Sequence, residues 1–75
     1  MDEIDIENLI LQQRHRVGLK VREFREKKGF SQDGLAEIMC VSRSTISKIE
    51  NGKFSFSIDY LSKLSLFLDF QISLQ

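Results

Sequence analysis

The sequence predicts an all-α domain of four to five short helices, followed by one C-terminal β-strand that pairs across a dimer. Three observations lead there. Apolar residues recur at three- and four-residue spacing through most of the chain, the period of a helix with one buried face. Three serines, Ser31, Ser42 and Ser57, stand just ahead of such runs, where a hydroxyl can accept from the first unpaired backbone N–H groups of a helix. After Asp69 the period drops to two, with Phe70, Ile72 and Leu74 alternating with Gln71, Ser73 and Gln75, which reads as a strand with one apolar face. A chain of 75 residues sits near the size at which one core is only marginally stable, so a second subunit is expected to supply part of it.

Taken in order, residues 1–11 mix acids with Ile4, Ile6, Leu9, Ile10 and Leu11 and read as a partly ordered N-terminal arm. From Gln12 to Lys28, Val17, Val21 and Phe24 fall at i, i+4 and i+7 among arginines and lysines, an amphipathic helix that Gly29 ends. Ser31 opens a second helix, with Asp33 favoured in its first turn by the helix dipole and Leu35, Ala36 and Met39 on its inner face. Gly34 inside it costs up to about 1 kcal/mol relative to alanine. Ser42 opens a third, which Asn51-Gly52 closes. Ser57 opens a fourth, with Ile58, Leu61, Leu64 and Leu68 as its core residues. Residues 12–69 therefore form the folded domain and residues 70–75 the strand.

The third helix carries the functional signal. With Arg43 at zero and about 100° per residue, Ser44, Ser47, Lys48 and Asn51 fall within an arc of about 140°, while Ile46 and Ile49 lie opposite. The outer side holds short polar donors and two long cations, and Glu50 falls at the boundary toward the apolar side. Two short helices joined by a few residues around Cys40 and Val41, the second with a donor-rich face, make a helix-turn-helix. Such a helix fits the major groove, about 12 Å wide, where phosphates attract Lys and Arg and guanine O6 and N7 accept from them.

Charge and composition narrow the class. The chain has 11 basic and 11 acidic residues, but four of the acids, Asp2, Glu3, Asp5 and Glu7, lie among the first eight residues, so the remainder is cationic by four. Cys40 excludes an internal disulfide and reads as a small buried core residue; with His15 alone as companion it leaves too few ligands for a metal, and no cofactor is expected. His15 reads as an exposed helix residue without an acid-base partner, and no serine stands in a recognisable nucleophile motif, which argues against an enzyme. No apolar run approaches the roughly 18 residues of a membrane span, which points to a soluble, cytoplasmic protein without a membrane partner.

The stretch VGLKVREFREKKGFSQDGLAEIMCVSRSTISKIENGK resembles the lambda-repressor-like, Cro/CI (XRE) type of helix-turn-helix domain, with SQDGLA followed by VSRSTISKIENGK as its most specific part. The resemblance implies a compact DNA-binding fold and a set of roles: Gln32 braces its helix and contacts phosphate, Arg43, Ser44 and Lys48 face bases, and the loop from Asn51 to Lys53 touches the DNA backbone. Ser42 and Ser47 belong to the same surface. It further implies an ion pair between Arg25 and Glu50. The sequence departs from the family at Cys40, where glycine is usual at the turn, at Phe56, where proline is common, and at Ile38 and Leu66, usually polar. Cysteine tolerates the left-handed backbone of that turn less well.

The tail FLDFQISLQ is similar to the end of HipB-like antitoxin repressors. That likeness implies a homodimer whose interface includes Leu66, Phe70, Ile72 and Leu74, a double-stranded inverted-repeat operator, and a kinase-type toxin as a further partner. Two functions stay open: a sequence-specific transcriptional repressor, or a protein-interaction module that sequesters a toxin with weak or lost DNA binding.

Overall fold

In the computed structural model, which describes residues 3–72, four α-helices follow one another: α1 (Glu3–Lys27), α2 (Gln32–Met39), α3 (Arg43–Glu50) and α4 (Ile58–Leu68). Helix α1 packs along both α3 and α4, and α2 packs on α3. Val21, Leu35, Ala36, Met39, Ile46, Ile49, Leu64 and Leu68 form the buried core, so every helix contributes. Packing decides whether the short helices exist. An isolated helix of eight residues is unstable in water, whereas burying Ile46 and Ile49 alone stabilises α3 by about 3–6 kcal/mol in gross terms.

The serine caps take the expected geometry. Ser31, Ser42 and Ser57 have extended backbones, and their hydroxyls accept from the N–H groups of Gly34, Thr45 and Tyr60. All four helices end alike, on a residue with positive φ followed by an N–H that reaches back five residues: Phe30 to Arg25, Val41 to Ala36, Lys53 to Lys48 and Phe70 to Ser65. Glycine occupies that position at Gly29 and Gly52, but Cys40 (φ 57°) and Asp69 (φ 60°) occupy it at the other two ends. A side chain in this region costs about 1–2 kcal/mol relative to the right-handed conformation.

Three expectations are corrected, and a fourth is met only in part. The arm drawn at residues 1–11 is helical from Glu3 onward, and α1 runs unbroken to Lys27. Ile6, Ile10 and Gln13 continue the spacing of Val17, Val21 and Phe24 backward, and Asp5 and Glu7 near the helix start suit its dipole. Cys40 is exposed rather than buried, because the turn that it occupies lies at the surface. Ile58 is 63% exposed and contributes nothing to the core, since the first turn of α4 precedes its contact with α1. Residues 70–72 form no strand within the chain: Phe70 stacks on Phe24 with ring centroids 5.0 Å apart, and Ile72 lines a groove with Arg16, Val17 and Lys20, while pairing across a dimer is a matter for a second copy. Residues 73–75, Leu74 among them, fall outside the described residues.

Candidate nucleic-acid interface

Helix α3 is held from beneath by α1. Gly18 lies against the end of α3, where an added Cβ would press into the carbonyl oxygen of Ile49 and stand 2.9 Å from that of Glu50. Gly52, with φ +73°, sits as close to His15, whose Cα would be 2.8 Å from such a Cβ. Two glycines on facing elements thus set the distance between the scaffold and the helix it presents.

Beside this contact, Glu50 is buried and paired. Arg25 Nε donates to Glu50 Oε2 at 2.6 Å, Arg25 Nη2 donates to Oε1 at 3.1 Å, and Arg25 Nη1 donates to the Phe30 carbonyl at 2.8 Å. Gln32 Nε2 donates to the same Glu50 Oε1 at 3.1 Å. The hydrogen bond that Arg25 donates to the Glu50 carboxylate raises the Arg25 pKa above its ordinary value, against the opposing effect of burial. One carboxylate therefore ties α1, α2 and α3 together and turns its charge away from the outer side of α3.

The outer side sorts into side chains already engaged and side chains that are not. Ser42 Oγ caps α3 and lies 3.0 Å from Thr45 Oγ1. Asn51 Nδ2 donates to the Ser47 carbonyl at 2.9 Å and lies 3.3 Å from Ser47 Oγ, an interaction that steadies the last turn. Arg43 Nε approaches Asp33 Oδ1 at 3.9 Å with both side chains largely exposed, an ion pair worth about 0–1 kcal/mol. The side chains of Ser44, Lys48 and Lys53 are exposed and make no hydrogen bond or ion pair among the described residues. The readiest donors are thus Arg43, Ser44, Lys48 and Lys53, while Ser42, Ser47, Asn51 and Gln32 hold the scaffold that presents them.

The sequence reading missed Gly18 and the Gln32–Glu50 hydrogen bond. An isolated glycine within a helical period, which costs about 1 kcal/mol, was the available signal of close backbone approach. The Gln32–Glu50 bond had no signal in spacing, because its partners are joined only by tertiary structure.

Two short helices joined by a left-handed turn, the second exposed along a cationic donor face and braced from behind, define the helix-turn-helix class. The helix-turn-helix family pattern matches residues 21–74. The chain belongs to that family. It is 40% identical over 52 residues to a protein of Pyrococcus furiosus named as an HTH-type transcriptional regulatory protein, covering 69% of this chain and 16% of that one. It is 37% identical over 57 residues to the HTH-type transcriptional regulator SinR of Bacillus subtilis, covering 75% of this chain and 51% of SinR. The chain thus spans about half of SinR and a small part of the Pyrococcus furiosus protein. Among the described residues no helix is long and apolar enough to cross a membrane, and no three His, Cys, Asp or Glu side chains gather as a metal site.

Proposed function

We propose that this chain is a sequence-specific, DNA-binding transcriptional regulator, a repressor that reads the major groove with α3 as a homodimer on an inverted-repeat operator. The observation that carries the reading is the sorting of charge on α3. Arg43 and Lys48 point outward with Ser44 between them, while the helix's single carboxylate is buried against Arg25. The family's regulators and the cationic balance of the chain after its acidic first residues support it. Arg43, Ser44 and Lys48 face base edges, and Lys53 at the exit of α3 meets phosphate. Gln32, at the start of α2, keeps its amide on Glu50 and turns the rest of its polar group toward the backbone of the duplex. Two copies related by a two-fold axis place their α3 helices on half-sites about 34–36 Å apart or a multiple of that.

The two kinds of contact are separable. Selection of bound duplexes from a random pool gives the operator; on it, Lys48→Ala or Arg43→Ala relaxes preference at one base pair by about 1–3 kcal/mol. Lys53→Ala weakens all sequences alike and lowers the salt slope by about one. Unaltered preference in both α3 variants removes α3 as the reading helix.

A further inference from the structure

The first third of α1 carries an apolar stripe left open among the described residues. Ile6, Leu9 and Ile10 are 47%, 42% and 47% exposed, and with Val17, Phe56 and Leu61 they line one groove between α1 and the approach to α4. This groove runs on, through Val17 and Leu61, into a second one walled by Phe70 and Ile72 of the same chain. At about 100° per residue, Ile6, Ile10, Gln13 and Val17 fall within an arc of about 60°. Glu7 and Arg14 lie together on one flank of that arc.

We propose that the stripe seats the same helix of a second copy, antiparallel to the first, about a two-fold axis near Ile10 and Leu11. Charge sets both the orientation and the identity of the occupant. The charged residues at the start of the chain, Asp2, Glu3, Asp5 and Glu7, are all acidic, and the next along α1, Arg14, Arg16, Lys20 and Arg22, are all basic. A parallel pair would set acid on acid, whereas an antiparallel pair sets the acidic end of each helix on the basic middle of the other. In antiparallel helix pairs, residues on the same flank face each other across the axis. The register that brings Glu7 to Arg14 of the second copy also brings Arg14 to its Glu7, and it stacks the apolar stripes between them. The complementary halves belong to one helix, so the fitting partner is another copy of it. Phe70, at the start of the tail, already stacks on Phe24 of its own chain. The inference rests on the homodimer of the proposed function and names the surface that forms it.

Charge reversal tests it on the intact chain without DNA. Light scattering of the wild type gives a dimer, and Glu7→Arg and Arg14→Glu each raise its dissociation constant at least about tenfold, since like charges then oppose at two symmetric places. The double variant, Glu7→Arg with Arg14→Glu, restores dimerisation to near the wild-type value. Glu7 is exposed and Arg14 half-buried at the edge of the groove, so unchanged helical circular dichroism checks the fold of each variant. Ile10→Glu gives a monomer by the same measurement. A wild type that is monomeric at its highest soluble concentration overturns the homodimer and this surface together. A dimer unmoved by the single reversals, or reversals that add without rescue in the double variant, overturns the surface and leaves the homodimer standing. A dimer lost only when residues 70–75 are deleted assigns the interface to the tail instead.

Discussion

Helix α3 and the first third of α1 share one grammar and have opposite fates. Both repeat apolar residues at helical spacing, yet Ile46 and Ile49 are fully buried while Ile6, Leu9 and Ile10 are nearly half exposed. The difference lies in what faces the stripe. Helix α3 meets α1 at a glycine, meets α2 along its length and buries its one carboxylate in a bidentate pair, so each of its inward atoms has a partner. The start of α1 runs past the body of the domain, and its period is satisfied as a helix but not as a core. Periodicity therefore specifies the element, and only the neighbours specify its burial.

Within a single chain, substitutions that strike the braced side should be costly, and those at the open start of α1 cheap. The largest effect is expected from Glu50→Ala, which leaves the buried Arg25 guanidinium unpaired and should destabilise the domain by about 3–5 kcal/mol in urea unfolding. Loss equal to that of an exposed pair would mean that water reaches Arg25 freely. Next comes Gly18→Ala: the new methyl meets backbone rather than a yielding side chain, so about 1–3 kcal/mol is lost and α3 is pushed from α1. At the turn between α2 and α3 the sign reverses, and Cys40→Gly should gain about 1 kcal/mol by relieving a left-handed side chain, read as a higher thermal midpoint. Smallest of all, Leu11→Gln, at a residue 53% exposed, should move the stability of the monomeric Ile10→Glu background by no more than about 0.5 kcal/mol. A loss comparable to that of Gly18→Ala would show that the start of α1 is packed after all.

The same contrast explains what could be read from residues alone. The three serine caps and the glycines at 29 and 52 were legible because each acts within a few residues of itself on the chain. The family resemblance carried Arg25 to Glu50, and the structure places them in hydrogen-bond contact. Residues 3–11 were misread because Leu9 and Leu11 interleave with the stripe of Ile6, Ile10 and Gln13 and blur its period. Cys40 was misread because small apolar residues are usually buried, whereas here backbone geometry, not hydrophobicity, governs the site. The alternation of Phe70 and Ile72 suggests a strand; within the chain Phe70 instead stacks on Phe24 of α1, for which an irregular segment suffices.

The repeated helix ending also bears on how the domain forms. Each left-handed residue redirects the chain within a single turn, and of the helix pairs that pack together only α2 and α3 are also neighbours in sequence. Loop closure of this kind carries little entropic penalty, and helical domains built this way fold in microseconds to milliseconds. The Arg25–Glu50 link spans 25 residues, a longer closure than the α2–α3 contact and a shorter one than Phe24 on Phe70. A link formed late, as α1 comes down on α3, would on removal accelerate unfolding far more than it slows folding.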